Sequence, residues 1–557
     1  MFLTGRNIYQ HLGSKHGDQR KKLIIWACSV SLILLVFIAT ISCLPTKVQG
    51  GKAKSLPSQT SITIVSRAIV SACKNTLYKE TCMSSLTGTT SKTPKELFEL
   101  SVQHAADLAT SARSHAYNIT ILDQKTRTNL PTGVDDCSEL LEDSVDRLSN
   151  VLDSTKGASP DDIQTWLSAA LTNQETCLDS LKSVNSPLEK ELMERAKNLS
   201  QSISNSLAMY VSMKGGETKK SVGGGGRRLL SDGFPDWVST SDRKLLDAPI
   251  GEIRPHAVVA KDGSGTHGTI GEALLAASLA AGGGRTVIHV KAGTYSEGSI
   301  KIPKGQNIML VGDGKGVTVI TGHKSANSGY STFSSATLGV SGDGFIARDI
   351  SIVNSAGPSG EQAVALRVNS DKSVIYRCAL DGYQDTLYTL SNRQFYRETD
   401  VYGTVDFIFG NSAAVFQSCN LIAKSRGDPN YVTAQGRSDP NQNTGISIQN
   451  CKISGGSNTY LGRPWKAYSR TVVMKSNLDG SINRAGWSQW SGSSGLNTLY
   501  YGEYMNTGPG ASTSGRVGWG GYHPSLSVAE ASKFTVANFI SGTQWLPSTG
   551  IPFDAGL

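Results

Sequence analysis

Residues 247–557 are predicted to form a right-handed parallel β-helix, preceded by an all-α four-helix bundle over residues 60–213. The β-helix is indicated by four superposable windows at residues 345–351, 374–380, 415–421 and 447–453, with a weaker fifth window at 395–399. Their starts are separated by roughly 20 to 32 residues, the repeat range of stacked-coil solenoids. In addition, short β-branched runs alternate with Gly, Asn and Asp turns throughout this region. A sandwich or barrel fits less well, because consecutive solenoid strands pair in parallel with like positions in register.

The N-terminal segment differs from the rest of the chain. Residues 1–22 are expected to be a basic, cytoplasmic N-terminus that ends in Arg20, Lys21 and Lys22. They precede an almost uncharged apolar run at 23–44, which is about long enough to cross a bilayer. This pattern predicts a secretory signal peptide or a signal anchor, and leaves open which of the two it is. We therefore expect the rest of the chain to enter the secretory pathway, with the membrane contacted only through this segment.

Residues 60–213 show the helical spacing of apolar residues that predicts a bundle. Four of the nine cysteines lie here, and an oxidising compartment favours two disulfides among them. Three pairings are open, and local spacing favours Cys73 with Cys82, leaving Cys137 with Cys177. The sequons at Asn118 and Asn198 predict N-glycosylation.

A linker is predicted at 214–246, where composition changes to glycine and basic residues. It carries two dibasic sites, Arg227-Arg228 and Arg243-Lys244. Exposed, flexible and basic segments are preferred cleavage sites, so a processing protease is an expected partner.

Two aspartates occupy matched contexts in neighbouring repeats: Gly-Tyr-Gln-Asp-Thr-Leu at 382–387 and Gly-Thr-Val-Asp-Phe-Ile at 403–408. Each lies seven residues after an equivalent repeat position, Cys378 or Thr399. Stacked coils would place the carboxylates of Asp385 and Asp406 on adjacent rungs, about 4.8 Å apart. Two such carboxylates do not both ionise freely, so one is expected to keep its proton to a higher pH.

Three further residues complete the predicted site. Arg463, between Gly and Pro, is suited to bind a carboxylate through two hydrogen bonds and hold it anionic. Gln384 and Gln362 carry amide donors that can stabilise an oxyanion. Together with the aspartate pair they predict an acyl-transfer site.

Four motifs that contain these residues, together with a fifth motif earlier in the chain, resemble motifs of the plant pectin methylesterases. The motifs are Gly-Thr-Tyr-Ser-Glu at 293–297, Gln-Ala-Val-Ala-Leu at 362–366, Gln-Asp-Thr-Leu-Tyr at 384–388, Asp-Phe-Ile-Phe-Gly at 406–410 and Leu-Gly-Arg-Pro-Trp at 461–465. They occur in the family's order. The helical segment with its four cysteines resembles the invertase and pectin methylesterase inhibitor fold, which many members carry as a pro-region.

The resemblance implies hydrolysis of galacturonate methyl esters in pectin, with release of methanol. It implies that Asp406 is the nucleophile, that Asp385 is the acid and base, that Gln384 and Gln362 stabilise the oxyanion, and that Arg463 orients Asp406. It also implies a set of substrate contacts: Thr332, Gln362, Arg463, Trp465, Phe409, Tyr388 and Trp487. The helical domain would be inhibitory or would assist folding until it is removed, and separate inhibitor proteins are further expected partners.

The chain departs from the family at Thr399. Many members have a cysteine at this position, and it forms a disulfide with the cysteine that corresponds to Cys419. Cys378, Cys419 and Cys451 are therefore an odd set, and at least one is expected to be a free thiol. A bond between Cys419 and Cys451 remains an alternative.

Two other function classes are compatible with part of this sequence. A β-helix enzyme that cleaves the polysaccharide chain, similar to a polygalacturonase, is the main rival, since paired carboxylates also serve retaining glycosidases. A cell-wall inhibitor or carbohydrate-binding protein is the non-enzymatic alternative. A serine esterase is disfavoured because the chain has no Gly-x-Ser-x-Gly elbow.

Charge and ligand chemistry limit the partners. Residues 247–557 contain 25 Lys and Arg against 21 Asp and Glu, which suits an anionic cell-wall polymer. Because the chain is expected to be secreted, nucleic acid is not an expected partner. Secretion also predicts localisation to the cell wall or apoplast. Few histidines and no ligand-spaced cluster occur in this region, so no metal or other cofactor is implied.

Overall fold

The computed structural model describes residues 66–90, 93–126, 132–153, 157–182, 186–220, 254–279, 284–425 and 429–557. The predicted apolar segment at 23–44 and the dibasic sites at 227–228 and 243–244 lie outside these ranges. In the described residues, no helix is long and apolar enough to cross a membrane.

The described residues between 66 and 220 form what we call the helical domain. Its six helices are α1 (Arg67–Ala72), α2 (Lys79–Ser85), α3 (Pro94–Thr126), α4 (Thr132–Leu152), α5 (Pro160–Ser180) and α6 (Pro187–Lys220). The four long helices pack in a ring in which each contacts two neighbours. Helix α5 begins with a capping box, in which Ser159 and Asp162 exchange side-chain and backbone hydrogen bonds.

Both expected disulfides are present in this domain. The Cys73–Cys82 bond joins α1 to α2. The Cys137–Cys177 bond joins α4 to α5.

Helix α6 ends at Lys220, beyond the predicted boundary at Met213. It continues through Gly215 and Gly216, and the Lys214 ammonium binds the Asp161 carboxylate at 2.8 Å on α5.

Residues 254–557 form the β-helix domain, in which three parallel sheets wind around one core. Strands are numbered in chain order. The first sheet contains β1 (Ala257–Val259), β2 (Thr286–Val290), β5 (Ile308–Gly312), β8 (Ile346–Arg348), β11 (Ser373–Tyr376), β14 (Arg393–Arg397), β17 (Ala413–Gln417), β20 (Gly445–Gln449), β23 (Arg470–Met474), β25 (Tyr500–Tyr504) and β26 (Tyr522–His523). The second sheet contains β3 (Gly293–Tyr295), β6 (Thr318–Gly322), β9 (Ser351–Asn354), β12 (Ala379–Asp381), β15 (Asp400–Gly403), β18 (Asn420–Ala423), β21 (Lys452–Gly455) and β24 (Asn477–Leu478).

The third sheet carries the candidate site, and we call it the active-site sheet. Its strands are β4 (Ile300–Ile302), β7 (Leu338–Val340), β10 (Leu366–Val368), β13 (Leu387–Thr389), β16 (Ile408–Gly410), β19 (Asn430–Gln435) and β22 (Thr459–Pro464). Three helices accompany the coils: α7 (Ile270–Leu279), α8 (Val528–Ser532) and α9 (Val536–Phe539).

The repeat windows correspond to one sharp turn per coil. A single non-glycine residue with positive φ separates the first sheet from the second, as at Arg377 (φ 50°), Glu398 (φ 51°) and Ser418 (φ 55°). The next residue points into the core, which places Cys378, Thr399 and Cys419 in successive coils. Cys378, Cys419 and Cys451 are all free and buried.

Candidate active site

Asp385 and Asp406 occupy equivalent turns in successive coils. The strands that follow them are paired in register, with Leu387 opposite Ile408, so each aspartate lies two residues before a paired position. Both have left-handed backbones, with φ of 62° at Asp385 and 52° at Asp406. The Asp385 amide donates to the Val405 carbonyl at 3.0 Å, which joins the two turns. The two aspartates therefore lie at matching register positions of adjacent coils.

The glycine three residues before each aspartate has a steric reason. A Cβ added at Gly403 would lie 2.2 Å from the Cβ of Phe407, and one at Gly382 would lie 2.8 Å from Oγ1 of Thr386. Each glycine therefore allows the chain to fold tightly over the residue that follows the aspartate. This packing stabilises the left-handed backbone of Asp385 and Asp406, a conformation that residues other than glycine adopt only rarely.

Arg463 on β22 binds Asp406 through two hydrogen bonds. Nε donates to Oδ1 at 2.8 Å, and Nη2 donates to Oδ2 at 2.6 Å. The guanidinium carbon lies 4.1 Å from the ring centroid of Tyr431 and 4.3 Å from that of Trp490. Two aromatic rings and one carboxylate therefore fix the orientation of the arginine.

The two carboxyl groups differ in their electrostatic surroundings. Burial raises the pKa of Asp385 well above its usual range, and the nearby Asp406 charge raises it further, while Arg463 opposes the rise. Burial also raises the pKa of Asp406, but here the hydrogen bonds and charge of Arg463 act directly against it. Because Arg463 binds Asp406 and not Asp385, the first proton taken up by the pair goes to Asp385.

The aspartates open into a cavity of about 990 Å³. Nine of the predicted residues line it: Thr332, Gln362, Gln384, Asp385, Tyr388, Asp406, Phe409, Arg463 and Trp465. Tyr388 and Phe409 stack at 4.2 Å between ring centroids, and the ring of Trp465 meets that of Phe409 edge-on at 6.1 Å. The β-helix domain thus contributes two carboxyl groups, two amides and an aromatic wall to the cavity.

Trp487 does not lie in this cavity. Its backbone pairs with Gly462, and its ring, 1% exposed, stacks on Tyr501 inside the core. Trp490, three residues later and 40% exposed, lines the cavity instead. Tyr330 and Phe333 also line it, and the sequence analysis did not single them out. Trp487 and Trp490 lie in one short segment. The sequence alone does not determine how this segment aligns with the strand of Arg463, and therefore which of the two rings faces the cavity.

The helical domain lies over this site. Thr176, Asp179, Ser180 and Glu189 are part of the same cavity wall. The Thr176 hydroxyl is 3.5 Å from that of Tyr388, and the core of the helical domain is continuous with Phe409. Within the described ranges, no group of three His, Cys, Asp or Glu side chains could hold a metal ion.

Ion pairs extend the contact between the two domains. Arg147 on α4 binds both carboxylate oxygens of Asp343 at 2.8 Å. Glu139 binds Arg367 and Lys301, each at 2.9 Å. On the other side of the cavity, Lys466 lies 3.2 Å from the Asp179 carboxylate.

Comparisons with known proteins agree with this architecture. The family model described as Pectinesterase matches residues 256–543, and the model described as Plant invertase/pectin methylesterase inhibitor matches residues 67–209. "Probable pectinesterase/pectinesterase inhibitor 35" of Arabidopsis thaliana is 61% identical over 467 residues, which cover 83% of this chain and 88% of that protein. "Pectinesterase 2" of Citrus sinensis is 49% identical over 515 residues, covering 90% of this chain and 97% of that protein.

A solved structure corresponds to the β-helix domain alone. "Pectin methylesterase from Carrot" is 51% identical, with a TM-score of 0.53, and the match covers 55% of this chain and 99% of that one. These matches favour a carboxylic ester hydrolase over a polysaccharide-cleaving enzyme. The chain belongs to the pectinesterase family and carries, ahead of its catalytic β-helix, a domain of the plant invertase/pectin methylesterase inhibitor family.

Proposed function

We propose that the β-helix domain hydrolyses methyl esters of galacturonate units in pectin, with Asp406 as nucleophile and Asp385 as acid and base. The observation that carries the proposal is the bidentate Arg463–Asp406 pair beside a carboxyl group of raised pKa. It supports one anionic and one protonated carboxyl group at the same pH. A nucleophile and a proton donor are the two groups that ester cleavage needs.

In the first half-reaction, an Asp406 oxygen attacks the ester carbonyl carbon and forms a tetrahedral intermediate. The amide groups of Gln384 and Gln362 would donate hydrogen bonds to its oxyanion. The intermediate collapses with cleavage of the bond to the methoxy group, which takes the proton of Asp385 and leaves as methanol. The product is an acyl-enzyme anhydride on Asp406.

In the second half-reaction, the Asp385 carboxylate accepts a proton from water. The resulting hydroxide attacks the galacturonyl carbonyl and releases the free acid and the Asp406 carboxylate. Asp385 is then protonated again for the next cycle. The aromatic wall of Tyr388, Phe409 and Trp465 would contact the sugar rings, whose apolar faces suit aromatic side chains.

The product distribution tests this reaction. We expect the β-helix domain to release methanol from methyl-esterified pectin without forming new reducing ends. D385N and D406N should each lower methanol release by at least about 10³-fold, because each removes a group required for bond cleavage. Reducing ends without methanol would contradict the proposal and indicate cleavage of the polymer.

We also propose that the docked helical domain blocks the polymer and is removed by cleavage at Arg227-Arg228 or Arg243-Lys244. The contacts of Thr176 and Asp179 at the cavity support this role. The uncut chain should release methanol from pectin at least about ten times more slowly than the separate β-helix domain. Equal rates would exclude blocking and leave assistance in folding as the role of the helical domain.

Secretion to the cell wall is part of the same proposal. Asn118 and Asn198 lie on exposed positions of α3 and α6, so both sequons are accessible to glycosylation. N-terminal sequencing of the secreted product would show whether residues 23–44 are removed and which dibasic site is cut. A product that still begins at Met1 would support a retained anchor.

A further inference from the structure

The docked helical domain covers the catalytic groups without binding them. Both carboxylate oxygens of Asp406 accept hydrogen bonds from Arg463, which belongs to the same domain. The Asp385 amide donates to the Val405 carbonyl, again within the β-helix domain. Among the residues that the structure describes, no side chain of the helical domain forms a hydrogen bond or an ion pair with these two aspartates or with Arg463. The groups that cleave the ester are therefore assembled while the helical domain is in place.

The space between the two domains is large enough for a small molecule. The cavity over the aspartates measures about 990 Å³. This is the upper end of the range of about 300 to 1,000 Å³ that is typical of pockets for small ligands. Its wall includes exposed residues of both domains, namely Ser186 of the helical domain and Gly329 and Trp490 of the β-helix domain. The cavity is therefore open to solvent, and a small ester can reach the aspartates.

A linear polymer has no such path. The strands of the active-site sheet follow the order β22-β19-β16-β13-β10, and the two aspartates precede β16 and β13. On one side of them, Glu139 of the helical domain binds Arg367 on β10. On the other side, Asp179 binds Lys466, two residues after the end of β22. A polymer that crosses the aspartates along the stack of coils would have to pass both contacts.

The wall of the cavity suits a sugar. The helical domain contributes the hydroxyl groups of Thr176 and Ser180 to it. The β-helix domain contributes the amides of Gln362 and Gln384. Hydroxyl and amide groups both donate and accept hydrogen bonds, as sugar hydroxyls do. The polar groups of a single sugar can therefore be satisfied by both walls at once.

One carboxylate of the helical domain adds a negative charge to this wall. Glu189 is 5% exposed, and its carboxylate accepts a hydrogen bond from the Ser186 amide at 3.0 Å. Among the described residues no cation forms an ion pair with it, whereas Asp179 is paired with Lys466 and Lys182. Charges interact more strongly in a partly buried cavity than in water. An anionic molecule in the cavity is therefore repelled, and an uncharged one is not.

We propose that the uncut chain is an esterase for small, uncharged methyl esters, although its docked helical domain keeps the polymer out. The chemical class is the methyl ester of a single uronic acid whose other groups carry no charge. The reaction is the hydrolysis described above, in which water and the ester yield the free acid and methanol. The proposal rests on the pectin-esterase function. It adds that the helical domain selects substrates by size and charge and leaves the catalytic groups competent.

The test compares two substrates and two forms of the protein. The uncut form would carry R227Q, R228Q, R243Q and K244Q, which remove both dibasic sites. The other form is the separate β-helix domain, which is suitable because the carrot protein shows that a relative of this part exists as a folded unit. Methanol release would be measured on methyl-esterified pectin and on the ethyl glycoside of galacturonic acid methyl ester. In this uncharged monosaccharide, methanol arises only from the ester.

We expect the two forms to act on the monosaccharide ester at rates within about 3-fold of each other, while the uncut form is at least about ten times slower on pectin. D406N in the uncut form should abolish release from the monosaccharide ester. Equal slowing on both substrates, equal rates of the two forms on pectin, or a separate domain that acts on pectin but not on the monosaccharide ester would overturn the proposal. A separate domain that is inactive on pectin would instead be a failure of the proposed esterase function.

A ring placed in the cavity from the helical domain tests the route of entry. Ser180 lines the cavity, so S180F should slow the uncut form on the monosaccharide ester by at least about 5-fold. S114F, at an exposed position of α3, is the matched control and should leave the rate unchanged. An unchanged rate in S180F would contradict entry through this cavity. If S180F releases methanol from pectin faster than the uncut parent, the helical domain has undocked, and the comparison of the two forms decides.

Selection by charge is tested with a substrate of matched size. The carboxymethyl glycoside of galacturonic acid methyl ester differs from the ethyl glycoside by one carboxylate. E189Q keeps an acceptor for the Ser186 amide and should speed the uncut form on this anion by about 3-fold or more, with no change on the ethyl glycoside. E194Q removes the same charge from an exposed position of α6 and is the control. Equal effects of E189Q and E194Q would contradict selection by charge.

Discussion

Both carboxylate oxygens of Asp406 accept hydrogen bonds from the guanidinium of Arg463, at 2.8 and 2.6 Å. Asp385, in the preceding coil, is also buried but lacks this partner. The single arginine thus makes two similar carboxyl groups unequal, and it does so from a strand that is more than fifty residues away in the sequence. The proposed division of roles between the aspartates therefore depends on Arg463.

Replacing Arg463 should shift the pH dependence of the reaction. Arg463 opposes the rise of the pKa of Asp406, so R463Q should raise this pKa and reduce the fraction of ionised nucleophile at acidic pH. We expect the acid limb of the kcat profile to move to higher pH, with a loss of about 10²-fold or more in kcat at its optimum. R463K, which keeps the charge without the planar fork, should show a smaller pH shift. An unchanged acid limb in R463Q would mean that the limb does not report Asp406.

Tyr431 should act as a positioning residue for Arg463. Its ring centroid lies 4.1 Å from the guanidinium carbon. Y431L removes the ring and should lower kcat by roughly 5- to 10-fold, consistent with the loss of about 1 kcal/mol of cation–π stabilisation. Y431F keeps the ring and should restore the activity. Equal losses in both variants would point to the hydroxyl group and contradict the stacking argument.

Loosening the contact between the domains should activate the uncut chain. D343N weakens the pair with buried Arg147 on α4, at a cost of about 1 kcal/mol because half of the Asp343 side chain is exposed. The uncut D343N chain should then release methanol roughly 5-fold faster than the uncut parent. The same substitution in the separate β-helix domain is the control, and a matching gain there would rule out a docking effect.

Acid should weaken the contact made by Glu139. Burial would raise the pKa of Glu139, but Arg367 and Lys301 outweigh it and lower the pKa to about 2. A carboxyl group with a lowered pKa stabilises the docked state above its usual pKa, and the contribution disappears as the pH falls from about 4.5 through 2. Thermal unfolding should therefore show the uncut parent more stable than E139Q at pH 6, with the two converging near pH 2. A constant difference at all pH values would assign the effect to packing.

The sequence was sufficient for the β-helix and for most of the site. Asp385 and Asp406 could be paired because a positive-φ turn at the same place in each coil, as at Arg377 and Glu398, keeps the repeats in register. Strands β13 and β16 retain that register next to the aspartates. Gln384 follows from its neighbour, and Arg463 from its setting between Gly and Pro. Local repetition and motif chemistry carried these predictions.

Other features depended on contacts that the sequence does not encode locally. From the sequence, either Trp487 or Trp490 could line the cavity. In the structure, the backbone of Trp487 pairs with Gly462, and its ring lies in the core. Lys214, beyond the predicted boundary at Met213, binds Asp161 on α5, and such a contact between distant segments has no local sequence signal. The pairing of Glu139 and Asp179 with Arg367 and Lys466 joins residues that are more than two hundred positions apart. No periodic pattern reports such pairs.

The most direct test of the account is to trap the covalent intermediate. The β-helix domain would be mixed with a short methyl-esterified oligogalacturonide, quenched with acid within the first turnover, digested and examined by peptide mass spectrometry. We expect a galacturonyl adduct on the peptide that contains Asp406, and its absence in D406N. An adduct on Asp385, or methanol release by D406N at the rate of the parent, would contradict the assignment of Asp406 as the nucleophile.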